Sequence, residues 1–205
     1  MENPMRVWWL SAGLALYCLA QSAAAGTLLV VGDSISAGFG LDTRQGWVSL
    51  LQQRLQQEGS SDQVVNASIS GDTSAGGQAR LPALLAEHKP SLVIIELGGN
   101  DGLRGQPPEQ LQQNLASMID RSQAAGAKVV LLGMRLPPNY GVRYTTAFAQ
   151  VYEQLATQKK VPWVPFFLEG VGGVPQMMQA DGIHPAQGAQ QQLLENAWPV
   201  IKPLL

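Results

Sequence analysis

The fold class this sequence predicts is α/β, a three-layer α/β/α domain, and three observations predict it. Short continuous apolar runs alternate about five times with segments whose apolar residues repeat at helical spacing. Loops that would leave the carboxyl ends of those runs are rich in Gly, Ser, Asn and Asp, while the returning loops are plain. The chain has 205 residues, 45% of them hydrophobic, which suffices for one domain with a substantial core. Continuous apolar runs suit strands buried on both faces. Strand-then-helix order gives a parallel sheet, and right-handed crossovers place helices on both its faces.

Each element can be argued in order. "TLLVVG" (residues 27–32) reads as the first strand. Trp47, Leu50, Leu51 and Leu55 then share one helix face. "QVVNAS" (63–68) is a second strand, and Leu81, Leu84 and Leu85 mark a second helix, expected to bend near Pro82. "SLVIIELG" (91–98) is the strongest strand signal. Leu111, Leu115, Met118, Ile119 and Ser122 follow at helical spacing, then "AKVVLLGM" (127–134) as a fourth strand. Tyr144, Phe148, Val151, Tyr152 and Leu155 line another helix, with Lys159-Lys160 at its end. "VPWVPFF" (161–167) is a poorer fifth strand, because Pro162 and Pro165 cannot donate to a ladder. Pro185 is expected to open a last helix carrying Leu193, Leu194, Ala197 and Ile201. No repeat, linker or low-complexity tract interrupts this pattern. The expectation is one flavodoxin-like domain with a five-stranded parallel sheet over residues 26–205.

Residues 1–25 read differently. Arg6 gives a positive start, and Val7 to Ala20 is uncharged. "QSAAAG" follows, with Ala23 and Ala25 at the small positions of a cleavage site. That layout is a secretory signal peptide, since the apolar run falls short of the ~20 residues that span a bilayer. A lipid attachment at Cys18 is disfavoured by Tyr17 before it. Cleavage would remove Cys18, the only cysteine, which excludes disulfides, thiolate metal sites and a cysteine nucleophile from the mature chain. The expected location is the periplasm or the exterior, with no membrane anchor once the signal is removed.

Charge excludes other classes. The net charge is -2 and the basic residues are scattered, so no nucleic-acid surface is expected. The expected partners are small molecules, and the expected state is a monomer.

In a sheet of this kind ligands bind outside the carboxyl ends of the strands. The loops there are "GDSISAGFG", "SISGDTSAGG", "LGGNDGLRG", "RLPPNYG" and "DGIHP". The first is not a P-loop, because no Lys follows Gly38, and it fails the dinucleotide spacing at Thr43. Spacing alone leaves a flavin site open, although Asp33 would set a carboxylate against the phosphate. A nucleophile turn explains more. Ser34 leaves the first strand directly, and a serine hydroxyl needs a base to take its proton. The chain has two histidines. His88 lies in "EHKPS" on the opposite edge, whereas His184 shares an edge with Ser34. Asp181, three residues earlier, can hold the other imidazole nitrogen, with Gly182 easing the turn. Attack on a carbonyl builds charge on its oxygen, and three donors converge on this edge. They are the Ser34 N–H, the Gly71 N–H and the Asn100 side-chain amide. A glycine at position 71 would permit close approach.

These residues resemble the SGNH, or GDSL-type, hydrolase family. The resemblance runs from Gly26 to the C-terminus. It is carried by Ser34 in "GDSIS", Gly71 in "SGDTSAGG", Asn100 in "GGND", and Asp181 with His184 in "DGIHP". "ELGGNDGLRG" and "RLPPNYG" further resemble periplasmic multifunctional acyl hydrolases of this family. Ile35 stands where the motif has leucine, an apolar swap of equal volume. The resemblance implies a serine hydrolase of ester and thioester bonds, such as acyl-CoA thioesters, aryl esters and lysophospholipids, needing no cofactor and no metal. Ser34 would be its nucleophile, His184 its base, Asp181 the orienting acid, and the three donors its oxyanion hole. A carbohydrate acetyl esterase of the same family, or a non-enzymatic flavin or nucleotide binder, are the alternatives. Asp33 and Asp101 are expected to fix their loops by hydrogen bonds, and Glu96 to be a satisfied buried carboxylate. Leu103, Pro138, Tyr140 and residues 166–178 are candidates for an acyl groove.

Overall fold

The computed structural model describes residues 25–205. The signal-peptide expectation covers residues 1–25, and all of it but Ala25 lies outside the described residues. Five strands form one parallel sheet: β1 (Thr27–Gly32), β2 (Gln63–Asn66), β3 (Leu92–Glu96), β4 (Lys128–Leu132) and β5 (Trp163–Val164), in the order β2-β1-β3-β4-β5. This is the flavodoxin-like order, and every neighbouring pair is parallel. The central strands β1 and β3 are buried at nearly every residue, as their unbroken apolar sequences require. β2 is the half-exposed edge. β5 is cut to two residues by the flanking Pro162 and Pro165.

Helices α1 (Ser34–Ala37) and α4 (Gly99–Leu103) are single turns at the carboxyl ends of β1 and β3. The long helices are α2 (Trp47–Gln57), α3 (Ser74–His88), α5 (Pro108–Ala124), α6 (Val142–Lys159) and α7 (Gln190–Ile201). α2 packs on α7, while α3 packs on α5 and α5 on α6, which gives the outer layers. The apolar stripes read from sequence are the buried faces: Leu111, Leu115, Met118, Ile119 and Ser122 on α5, and Phe148, Val151, Tyr152 and Leu155 on α6. Each such Leu or Ile adds about 1.5–3 kcal/mol by leaving water. α3 continues through Pro82. α6 ends at Lys159, and Lys160 caps it in the left-handed conformation.

One helix boundary differs from expectation. Pro185 does not open α7. It forms an isolated antiparallel bridge with Met178, and α7 begins at Gln190 after a short 3-10 turn. The bridge closes the loop that carries Asp181 and His184, so Pro185 serves that loop and not the helix. Residues 166–178 are also only partly a surface. Phe167 is fully buried with its ring centroid 5.1 Å from that of Trp47, and Val171 is fully buried too. Both belong to the core and not to a groove.

Candidate active site

Ser34 is placed by the abrupt change from strand to helix at the end of β1. Asp33 makes this change by capping α1: its Oδ1 accepts the Ile35 N–H at 3.0 Å. Gly38, at φ 72°, ends the turn. Gly32 pairs with Glu96 across the sheet, and a Cβ there would lie 2.8 Å from Glu96 Oε2 and from Ser36. The absence of that Cβ lets Glu96 reach under the turn. Glu96 Oε2 accepts from Ser36 Oγ at 2.7 Å and from the Ser36 N–H at 3.3 Å, and Trp47 Nε1 donates to Ser36 Oγ at 3.1 Å. The Ser34 turn therefore rests on a buried polar floor.

Glu96 is fully buried, as expected, but it is not fully satisfied, because Oε1 has no hydrogen-bond partner. Burial first, and the Asp33 carboxylate second, push its carboxyl well above the usual range. Burial likewise pushes Asp33 from 3.8 up to about 6, against the pull of the Ile35 N–H and of His184. Asp33 does fix its loop as expected. So does Asp101, which accepts from the Ser74 N–H at 2.9 Å and from Ser74 Oγ at 2.5 Å, joining α4 to the start of α3.

His184 approaches from the far end of the chain. Asp181 Oδ1 accepts the N–H groups of Ile183 at 2.9 Å and His184 at 3.0 Å, which folds the loop back on itself, and Gly182 takes φ 68°. Asp181 Oδ2 is then 2.6 Å from His184 Nδ1, and His184 Nε2 is 3.0 Å from Ser34 Oγ. Hydroxyl, imidazole and carboxylate stand in line across 150 residues of sequence. A carboxylate at Nδ1 holds the proton there and leaves Nε2 free to accept the serine proton. The His184 contact, with the two backbone N–H groups, pulls the Asp181 carboxyl down to about 2.

Two donors face the same edge unpaired. Neither the Ser34 N–H nor the Gly71 N–H has an acceptor among the described residues. Gly71 has φ 80°, and a Cβ on it would meet nothing within 4 Å. Within the chain, then, this glycine is needed for its backbone conformation and not for close packing. Arg104 Nη2 fixes the turn by donating to the Gly71 carbonyl at 2.9 Å. Asn100 lies on this edge as expected, but its amide is engaged: Nδ2 donates to the Asp72 carbonyl at 2.9 Å and to Asp33 Oδ2 at 3.2 Å.

A phosphate has no seat in the first turn. The Ile35 and Ser36 N–H groups already serve Asp33 and Glu96, and Asp33 supplies negative charge. Among the described residues no group of three or more His, Cys, Asp or Glu side chains could hold a metal ion. His88 sits at the end of α3, beside Glu87 and away from Ser34.

Leu103, Pro138 and Tyr140 are brought together. Pro138–Tyr140 forms a 3-10 turn, and Tyr140 Oη donates to the Leu103 carbonyl at 3.1 Å. Leu103 ends α4, the helix that carries Asn100, and the Tyr140 bond sets the turn after β4 against it. Two cavities of about 350 and 320 Å³ lie elsewhere. Arg135, Leu136 and Trp163 line the first, and Ser36, Thr43 and Asn66 the second. Neither is lined by Ser34 or His184.

Sequence reasoning missed two residues. The Phe39 ring stacks on the His184 imidazole, with centroids 4.3 Å apart and planes at 32°. Gln179 donates to the Phe39 carbonyl at 2.7 Å. An aromatic between two glycines in the turn after Ser34 was the available signal for Phe39. Nothing local marked Gln179.

Comparison with known proteins gives the family. Residues 30–191 match the GDSL-like Lipase/Acylhydrolase family. The chain belongs to that family. It is 71% identical to Esterase TesA of Pseudomonas aeruginosa, over 98% of this chain and all of the relative. It is 49% identical to thioesterase 1/protease 1/lysophospholipase L1 of Escherichia coli K12, over 90% of this chain and 88% of that one. The crystal structure of TesA superposes with a TM-score of 0.86 at 73% identity, covering 87% of this chain and 99% of TesA. This GDSL-family chain therefore has the fold its sequence predicted, and a serine hydrolase of ester and thioester bonds is what its family and relatives support.

Proposed function

We propose that Ser34 is the nucleophile of this hydrolase, that His184 is its general base and acid, and that Asp181 orients the imidazole. The observation that carries this reading is the 3.0 Å approach of His184 Nε2 to Ser34 Oγ, with Asp181 2.6 Å behind Nδ1. Ser34 Oγ attacks the acyl carbon while its proton passes to His184 Nε2. The carbonyl oxygen becomes an oxyanion, held by the free N–H groups of Ser34 and Gly71. Asn100 completes the hole by exchanging its longer contact, the one to Asp33, for the oxyanion. The imidazolium protonates the departing alcohol or thiol, and the acyl group stays on Ser34. A water then enters, gives its proton to His184 and takes the acyl group, and Ser34 regains its proton. Each donor in the hole contributes about 3 kcal/mol to the charged state. Leu103 at the end of the Asn100 helix, with Pro138 and Tyr140 on the turn bonded to it, offers the acyl chain a wall.

The relatives' names bear on the substrates: an esterase, a thioesterase and lysophospholipase, and an arylesterase of Vibrio mimicus. The proposed substrates are accordingly aryl esters, acyl thioesters and lysophospholipids. Residues 1–25 are proposed to direct export to the periplasm, which their sequence supports. No described helix is long and apolar enough to cross a membrane.

Ser34→Ala and His184→Ala test the assignment. Each is expected to abolish hydrolysis of p-nitrophenyl esters and acyl thioesters, with an unchanged circular dichroism spectrum. Near wild-type turnover in either folded variant defeats it.

A further inference from the structure

We propose that Gln179 is a positioning residue for the reaction: it ties the turn after Ser34 to the loop carrying His184 and so holds the Phe39 ring against the imidazole. This rests on the reading of Ser34 and His184 as the reacting pair.

The loop needs such a tie. Residues 180–183 are all exposed, and no strand or helix contains His184. The loop's backbone bonds mostly join it to itself: the Gln179 N–H donates to the His184 carbonyl at 2.7 Å, Gly182 N–H to the Gln179 carbonyl at 2.9 Å, and Ala186 N–H to the Met177 carbonyl at 2.8 Å. These bonds shape the loop without fixing its distance from Ser34. Two glutamines provide the cross-links. Gln190 braces the far end, accepting from the Trp47 N–H at 3.0 Å and donating to the Ala186 carbonyl at 3.2 Å. Gln179 braces the reactive end. Its Nε2 donates to the Phe39 carbonyl at 2.7 Å and to the Pro185 carbonyl at 3.1 Å, so one amide holds both chains.

The surroundings are built around that amide. A Cβ at Gly40 would collide with Gln179 Oε1, and Gly40 takes φ 76°. Glycine at 40 thus leaves room for the carboxamide and adopts a turn that other residues resist. Phe39 is 49% exposed and contributes little to the core, yet its ring is in contact with His184. The main chain joins it to the nucleophile as well, because the Phe39 N–H donates to the Ser34 carbonyl at 3.0 Å. The ring blocks one face of the imidazole and limits its rotation about the line to Ser34. Its π-face also favours the imidazolium that forms during attack.

The test uses the full-length enzyme and the variants Gln179→Met, Gln179→Glu, Phe39→Ala and the double variant Phe39→Ala/Gln179→Met. Methionine keeps the length and removes the donor, and an ionised glutamate reverses the contact. Gln179→Met and Gln179→Glu are expected to lower kcat about tenfold to a hundredfold, the scale of a small misplacement of reacting groups. KM for a p-nitrophenyl ester should stay within about twofold, and labelling of Ser34 by a fluorophosphonate should slow in parallel with kcat. The double variant should be little worse than Phe39→Ala alone, because the amide acts through the ring. A folded Gln179→Met enzyme with wild-type kcat and labelling rate overturns the proposal. So do losses that multiply in the double variant, since they make the amide independent of the ring. Failure of the fluorophosphonate to label Ser34 in the wild-type enzyme is a different result, and it defeats the assignment of the nucleophile.

Discussion

Replacing Asp33 by asparagine separates what this carboxylate costs from what it does. Asp33 is 2% exposed, directly before the Ser34 turn, with its backbone N–H 3.4 Å from the buried Glu96 carboxyl. Its pKa rises from 3.8 to about 6, chiefly because burial penalises the charge. A carboxyl whose folded pKa exceeds its unfolded value holds its proton more tightly in the folded state. Stability therefore falls as pH rises from the unfolded value towards about 6, and the loss is complete above that. At ~1.4 kcal/mol per pKa unit, the penalty is on the order of 3 kcal/mol at neutral pH and about 0.5 kcal/mol at pH 4. The Asp33→Asn variant carries no charge at this position and escapes the penalty. It also brings a constant cost, because the new amide would face the Asn100 amide, donor against donor, where Asp33 Oδ2 now accepts at 3.2 Å. The informative quantity is thus the change with pH. Urea unfolding of both proteins, followed by tryptophan fluorescence from about pH 4 to pH 8, should show the variant gaining on the wild type by about 2–2.5 kcal/mol. A difference that is flat with pH, or that grows as pH falls, refutes the reasoning.

Two further outcomes follow from single contacts. Gly71→Ala places a side chain at φ 80°, costing about 1–2 kcal/mol, although nothing within 4 Å obstructs the new methyl. Its N–H should tilt away from the oxyanion and kcat should fall about a hundredfold with little change in KM, and an unaltered kcat would remove Gly71 from the oxyanion hole. Tyr152→Phe deletes the fully buried hydroxyl that donates to the Leu97 carbonyl at 2.9 Å, and should cost about 1–3 kcal/mol in urea unfolding. Because that hydroxyl braces the chain three residues before Asn100, esterase kcat should also fall with KM little changed, and unaltered stability together with unaltered kcat would contradict the bond.

The sheet was legible because both of its central strands are buried on two faces and so are written as unbroken apolar runs. The helices were legible from their stripes. Pro185 misled, because proline suits a helix start and a strand edge equally well, and the partner that decided, Met178, is set by the loop's path. The Ser34, Asp181 and His184 cluster was legible because only one histidine shared an edge with the serine. Glu96 was half legible. A carboxylate inside an apolar strand signals burial, but which of its oxygens finds a donor depends on Gly32 and Ser36 reaching it from the neighbouring strand and turn. Gln179 was invisible for a related reason. Glutamines are common on surfaces, and its partner carbonyl lies 140 residues away.

Asp33 and Asp181 show how one residue type serves opposite needs around the serine and histidine. Asp33 is walled in beside another carboxyl, so its charge is disfavoured and its pKa climbs to about 6. Asp181 stands on an exposed loop, where water spares its charge the burial penalty, and the His184 imidazole and two N–H groups pull its pKa down to about 2. In the role proposed for it, Asp181 must stay ionised at every stage of the reaction, because the imidazolium it faces would otherwise lose its counter-charge when Ser34 attacks. Exposure is therefore no defect in the Asp181 loop. It keeps that charge inexpensive, and it shifts the burden of precision to the contacts that hold the loop in place, which are few. Those contacts are where the chain has fitted a glutamine, a glycine and an aromatic ring.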